Sequence, residues 1–433
     1  MPTEPEFDAI VVGAGPGGTA AALTMARAGL NVVVFERGER PGVKNVMGGV
    51  MYGKMLADVV PEFWKDAPIE RIVTDERLWM LTEHAGLTAG HKHIPPAEHP
   101  PNAFTVLRVA FDAWFASQAE AAGALLIPGT TVVDVIRENG RVIGVRTGRQ
   151  DGDLRANLVV IADGANSFLV QRAGLSRRLE PNEMALVVKE IIALPAGVIE
   201  DRFTLEPGTG ATIEVYGAPT RGMAGYGFIY TNKESLSVGI GALISHFMKT
   251  RMTPWDLLEG FKTHPLVAPL LRGGEVREYL AHAIPEGGIR AMPRLYDDGV
   301  LVVGDAAMMV NNLHREGSNL AMAAGRMAGE TAIHAKRAGD WSAATLAMYR
   351  DLLEASFVLQ DMRKYERLPD LADCRPELLQ VYPALLCEAI HEMLTVDGVS
   401  KREKQRRIIQ HLLARRPWWK MLRDAYEGWR AMG

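Results

Sequence analysis

The chain has 433 residues, of which 48% are hydrophobic and 23% charged, the balance of an ordinary soluble globular protein and enough length for two or three cores. A formal charge of -4 excludes any global attraction to nucleic acid, and two cysteines, Cys374 and Cys387, are too few for a disulfide framework or a four-cysteine iron–sulfur cluster. A reducing compartment is expected. The N-terminal residues lack an apolar signal region, and no run of about 18 apolar residues follows. The expectation is a chain that neither spans a membrane nor is exported by that route, so that any membrane contact is peripheral.

The first stretch, from Phe7 to Arg37, reads as strand, glycine turn, helix, strand. An apolar run ending at Val12 breaks at Gly13-Ala14-Gly15-Pro16-Gly17-Gly18, passes into the Ala-rich helical pattern Thr19 to Ala28, and returns as Asn31 to Phe35. Gly13 permits a tight turn, Gly15 lets the backbone approach a pyrophosphate, and Gly18 lets the helix pack on the strand; the helix N-terminus offers free N–H groups to phosphate oxygens. Glu36 follows at the expected separation of about 20 residues, where a carboxylate can hold both hydroxyls of an adenosine ribose. NAD and FAD both use this unit, so the motif predicts a dinucleotide without choosing between them.

Arg37 to Gly53 is a glycine- and methionine-rich loop containing Lys44, Gly48, Gly49 and Tyr52. It is either a cofactor or substrate contact or a plain connector. Lys65 to Thr82 reads as helix then strand, and His84 through Pro101 as an exposed loop. His84, His91, His93 and His99 raise the question of a metal, but with no nearby Cys and no helical pairing none is expected. Phe104 to Ala122 has helical spacing with Phe111, Trp114 and Phe115 on its apolar face, and Arg108 at its start is placed either to fork onto phosphate oxygens or to form a surface ion pair. Asn139-Gly140 marks a hairpin, and Leu158 to Ile161 a buried strand leading to Asp163-Gly164.

Met184 to Leu243 changes to alternating patterns, an antiparallel sheet in sequence, in which Tyr226, Phe228 and Tyr230 face either a substrate or the core. Gly299 to Ala307 forms a third strand-to-turn unit and leads through His314 to Gly317 into a small-residue helix, whose N-terminus can stabilise negative charge on a reduced cofactor ring. From Arg326 onward the pattern is helical, with breaks expected near Pro369, Pro376, Pro383 and Pro417. Residues 401 to 433 carry ten Lys or Arg against three Asp or Glu, a net of +7 that leaves -11 for the rest. Trp418, Trp419, Tyr426 and Trp429 stand among those charges, as in helices that lie on anionic membranes or dock on partners.

Three strand-end signals, the glycine turn at Gly13, Ala162-Asp163-Gly164 and Val303-Gly304-Asp305-Ala306, resemble the FAD-binding pattern of the para-hydroxybenzoate-hydroxylase-like flavoproteins. The resemblance implies FAD, with Glu36 on the adenosine ribose, Arg108 near the pyrophosphate, Asp163 and Gly164 along the nucleotide, and Asp305 on the ribityl chain. Pro16, Gly17, Arg37, Lys44, Gly48, Gly49, Val132, Gly304, Gly317, Ser318 and Asn319 complete the cofactor contacts it suggests. The expected fold is α/β, a Rossmann-like FAD-binding domain with an inserted antiparallel-sheet substrate domain and a helical C-terminal region. The expected boundaries are 1–183 and 291–345 for the FAD-binding domain, 184–290 for the sheet domain and 346–433 for the helical region with its basic tail.

Within that superfamily, Lys44 to Gly53 and His314 to Met322 are similar to the FixC family, relatives of electron-transfer-flavoprotein:quinone oxidoreductase. That likeness implies a complex on the cytoplasmic face of the inner membrane, linked in many bacteria to nitrogen fixation. In it an electron-transfer flavoprotein pair of FixA and FixB type bifurcates electrons, and one branch passes through this FAD to quinone. Single-chain relatives carry their own iron–sulfur domain; with only Cys374 and Cys387 here, the cluster falls to a ferredoxin-like FixX subunit. Tyr52 and His314 are the candidate proton donors to the quinone. Two alternatives stay open: a geranylgeranyl-reductase-type or hydroxylase flavoenzyme with a directly supplied reductant, and a noncatalytic electron-transfer subunit.

Overall fold

A computed structural model describes residues 5–44, 48–94, 100–311, 313, 315–375 and 377–432. The chain divides into two compact units: Met1–Val73, Pro95–Met184 and His282–Arg363 form unit one, and Thr74–Ile94, Ala185–Ala281 and Lys364–Gly433 form unit two.

Unit one is built on a sheet whose central strands are Phe7–Val12, Val32–Phe35, Leu154–Ile161 and Val300–Val302. These are near-continuous β-branched runs, buried on both faces, as parallel strands covered by helices require. The register brings Val12 opposite both Phe35 and Ile161, and Ile161 opposite Val302. Four carboxyl ends therefore finish level, and Gly13, Glu36, Asp163 and Asp305 follow them at one edge of the sheet. Backbone bonds fix that edge: Gly13 N donates to Phe35 O at 2.8 Å, Ala162 N to Val12 O at 2.9 Å and Val303 N to Ile161 O at 3.0 Å.

Helices Pro16–Arg27 and Ser318–Ala338 lie against each other. Glycine makes the approach possible, because a Cβ on Gly325 would stand 2.1 Å from the Gly17 carbonyl oxygen. Gly18 has the same role beneath the turn, where a Cβ would meet Gly13 O at 2.0 Å. The hairpin Val132–Glu138 and Arg141–Thr147 turns through Asn139 and Gly140 at φ 51 and 86, the paired positive angles that the Asn-Gly signal predicts.

Unit two holds the antiparallel strands Thr209–Gly217, Gly225–Thr231 and Ser235–Leu243, with nearly all of Met184–Ala193 and most of the exposed Glu275–Pro285. One sheet face carries Val188, Ile213, Ile229, Val238 and Ile240 into a core closed by Leu257, Leu258 and Phe261 of the helix Pro254–Lys262. Helices Leu368–Cys374, Leu378–Leu394, Lys401–Arg415 and Trp418–Met432 complete the unit.

Three sequence expectations need correction. Gly86–Lys92 is a strand paired with Ile69–Leu81, not loop; exposed on both faces, it has no apolar alternation to announce it. Phe104 to Leu107, within the stretch of helical spacing, belongs to the strand Ala103–Leu107, while the helix begins at Arg108 as expected. Pro383 lies inside the helix Leu378–Leu394 instead of ending it, since one missing donor near the first turns removes a single backbone bond. Among the described residues, no helix is long and apolar enough to cross a membrane.

Candidate cofactor site

At the level edge of the unit-one sheet opens a cavity of ≈ 610 Å³. It gathers residues distant in sequence: Gly13, Gly15, Pro16 and Gly17 from the first turn, Glu36, Arg37 and Lys44 after the second strand, Arg108, Val132, then Asp163, Gly164, Gly304, Asp305 and Ser318. The helix that begins at Pro16 has no side-chain cap and no acid in its first turn, so its first N–H groups and positive dipole end are free for an anion. A Cβ on Gly15 would meet no protein atom within 4 Å, because the space before it is the cavity itself.

Glu36 is buried and ties the turn to the loop beyond it: Ala14 N donates to Oε2 at 3.1 Å and Gly38 N to Oε1 at 2.7 Å. Each carboxylate oxygen keeps a further lone pair for a hydroxyl. Arg108, at the start of its helix, is gripped by Asp112 one turn on, Nε to Oδ1 at 2.7 Å and Nη2 to Oδ2 at 2.8 Å. Burial works against the guanidinium charge, but Asp112 and Asp305 hold its pKa above the ordinary value. Asp305 is itself pushed up by burial, with Arg108 opposing. Burial raises Asp163 to about 6 against the pull of Ser167, nearby backbone N–H groups and Arg37, and its buried Oδ1 has no hydrogen-bond partner among the described residues.

The other candidates among the described residues do not line this cavity. Gly18 supports the turn; Gly48, Gly49 and Tyr52 form the strand paired with Ala103–Leu107; Gly317 caps the Ser318–Ala338 helix and Asn319 sits in its first turn. His314 lies outside the described residues, as do Asn45 to Met47 and His99. Sequence reasoning did not single out Asp112, although its i+4 spacing from Arg108 is the available signal. Asn166, Phe168, Arg172 and His282, which also line the cavity, carry no such signal. No group of side chains suited to a metal occurs among the described residues.

The donors suit a dinucleotide diphosphate: an uncapped helix end, Arg37, Lys44 and a braced Arg108, with the orphaned Asp163 oxygen waiting for a polar partner. Residues 8–189 match the family described as FAD dependent oxidoreductase. In structure the chain is similar to a geranylgeranyl bacteriochlorophyll reductase-like protein from Thermoplasma acidophilum, with a TM-score of 0.73, 23% identity, and coverage of 96% of this chain and 98% of that one. A flavin-dependent brominase follows with a TM-score of 0.66, 18% identity and coverage of 94% and 98%. Fold and site thus define an FAD-dependent oxidoreductase. Residues 368–433 match the ETF-QO/FixC family C-terminal domain. Protein FixC of Azorhizobium caulinodans is 47% identical, covering 98% of this chain and 99% of that protein, and Protein FixC of Escherichia coli is 42% identical, covering 94% and 95%. The chain belongs to the FixC family.

Proposed function

We propose that this chain takes electrons from an electron-bifurcating electron-transfer flavoprotein pair of FixA and FixB type and delivers them to quinone. The observation that carries the reading is the joining of an FAD-dependent oxidoreductase unit to an ETF-QO/FixC C-terminal domain that has only Cys374 and Cys387. A cubane cluster needs about four thiolates, so a ferredoxin-like FixX subunit supplies it. FAD supplies chemistry that joins one-electron carriers to a two-electron acceptor.

The chain's own residues bind and orient. Asp112 fixes the Arg108 fork toward the diphosphate, the helix end at Pro16 adds neutral donors, and Glu36 takes the ribose. Asp305 holds the ribityl chain, and Gly317, Ser318 and Asn319 place a helix N-terminus where it favours negative charge on the ring. Two stacked aromatic pairs of unit two, Phe228 with Tyr230 at 4.7 Å and Tyr216 with Tyr226 at 5.8 Å, share one sheet face, opposite the face that packs into the core. Phe228 and Tyr230 are buried, and the partly exposed pair Tyr216 and Tyr226 offers its ring faces to a quinone. Tyr52 and His314 are the proposed proton donors.

Peripheral attachment to the cytoplasmic face of the inner membrane rests on the last helix, where Trp418, Leu422, Tyr426 and Trp429 are all more than half exposed within a basic tail. The test reduces the flavin of the purified protein anaerobically and follows its reoxidation by quinone carried in vesicles with and without anionic lipid, with NADH and NADPH tried as direct reductants in parallel. Fast reoxidation, faster on anionic vesicles, with no direct reduction by either nucleotide is the expected result. Rapid reduction by NADPH with no response to quinone would sink the reading.

A further inference from the structure

The loop closing the third strand-to-helix turn holds a buried carboxamide with no partner among the described residues. After Val303 the backbone makes one tight turn over Gly304–Ala307, and Met308 takes φ 60. Asn311 then pairs across the loop with Glu316, Asn311 N donating to Glu316 O at 2.7 Å and Glu316 N to Asn311 O at 3.1 Å. The bridge holds Asn311 beside the residue that precedes Gly317, the N-cap of the 21-residue helix Ser318–Ala338.

Asn311 is 4% exposed, and neither its Nδ2 nor its Oδ1 has a hydrogen-bond partner among the described residues. Asn319, in the first turn of the helix, is 5% exposed, and its Oδ1 is likewise alone. The helix has no side-chain cap and no acid in its first turn. A buried polar group left without a hydrogen bond is destabilising, and native proteins rarely collect several together without a ligand or water to meet them. Ser318, next to Asn319 in the chain, lines the cofactor cavity.

We propose that Asn311 is a direct hydrogen-bonding contact to the flavin ring, reading its imide edge; this rests on the FAD assignment and not on the quinone reading. The pyrimidine edge of isoalloxazine presents carbonyl, N–H, carbonyl. A carboxamide carries an acceptor and donors at a spacing that meets an adjacent N–H and carbonyl together, as Asn does on a base edge. A quinone ring offers acceptors only, so it would satisfy Nδ2 and leave Oδ1 orphaned. An asparagine with a purely structural role would bond its own backbone, as Asn31 Nδ2 does to Glu6 O at 3.0 Å. Asn311 thereby fixes the ring without adding a charge, and the helix N-terminus is left to favour the reduced form.

The experiment compares wild type, Asn311→Ala and Asn311→Leu apoproteins. Affinity for FAD, for FAD methylated at N3 and for ADP is measured by titration, together with thermal melting of each apoprotein and the flavin midpoint potential of each holoprotein. Wild type should prefer FAD over the N3-methyl analogue roughly three- to tenfold, the worth of a neutral hydrogen bond, and both variants should lose that preference and bind FAD correspondingly more weakly. ADP, which lacks the ring, should bind all three proteins alike, the potential should shift in the variants, and the Asn311→Leu apoprotein should melt no lower than wild type because its orphaned atoms are gone. A preference for FAD that persists in both variants overturns the proposal, as does a loss of apoprotein stability in Asn311→Leu with ring discrimination and potential unchanged.

Discussion

In unit one, helices Pro16–Arg27 and Ser318–Ala338 meet through glycines, the contact at Gly17 and Gly325 so close that one methyl group would overlap backbone. In unit two, the last helix, Trp418–Met432, turns a carboxylate inward. Asp424 accepts from Arg375 Nη2 at 2.6 Å, Arg416 Nε at 2.6 Å and Tyr382 Oη at 2.8 Å, while its tryptophans face outward. An ordinary surface helix buries its apolar stripe and exposes its charges; this one buries Asp424 and leaves its tryptophans exposed beside Arg423 and Arg430. The difference teaches what each contact is for. Backbone-on-backbone packing holds the glycine turn at a fixed distance from the third strand-end loop, as a dinucleotide site requires. An inward ion network anchors the last helix while its aromatic residues stay exposed.

The largest effect should come from the ion network. Asp424→Asn leaves Arg416 without its carboxylate partner and Arg375 short of one, and breaking a buried pair in this way costs about 3–5 kcal/mol. Denaturant unfolding of the full chain should show that loss while FAD affinity, set in unit one, holds; equal losses of both would break the distinction between the regions.

Gly325→Ala comes next, with an expected loss of about 3 kcal/mol, the upper end of ordinary overpacking because the obstacle is backbone. Here FAD affinity should fall as well, since the helix that must shift carries the phosphate turn. Unchanged FAD binding in this variant would show that the turn is held by something other than the helix contact.

The smallest and sharpest test is acid. Asp163 is raised by burial to about 6, above its unfolded value near 4, so the folded apoprotein holds this proton more tightly than the unfolded chain does. That term weakens folding as pH rises from about 4 to 6, by at most about 3 kcal/mol, and Asp163→Asn should flatten the slope. Asp424 behaves oppositely: burial opposes its charge, but Arg416, Tyr382 and Arg375 hold its pKa below the ordinary range, so its contribution is intact above about 4 and lost only as pH falls further. Stability curves of wild type and both variants between about pH 3 and pH 7 should separate the two regions. A wild-type curve whose slope survives Asp163→Asn would assign the acid response elsewhere.

The glycine turn, its helix, Glu36 and the two later strand ends were legible because each depends on local rules: β-branched runs make buried parallel strands, and a phosphate-facing turn needs glycine at fixed spacing. The hairpin at Asn139-Gly140 was legible for the same reason. Gly86–Lys92 was not, because an exposed strand carries no apolar period and exists only through its partner, Ile69–Leu81. The pairing of Asp112 with Arg108 was half visible in its spacing; the orphaned carboxamide of Asn311 was not visible at all, since burial without a partner is a property of the packed loop.

By itself, then, the sequence determined the class of cofactor, the order of the elements that hold it and the basic, tryptophan-rich character of the tail. Only the tertiary structure decided the parallel register that levels Val12, Ile161 and Val302, and which face of the last helix is turned inward. Local propensity acts between neighbours a few residues apart, whereas register, orphaned polar atoms and the inward turn of Asp424 are fixed by contacts between segments far apart in the chain.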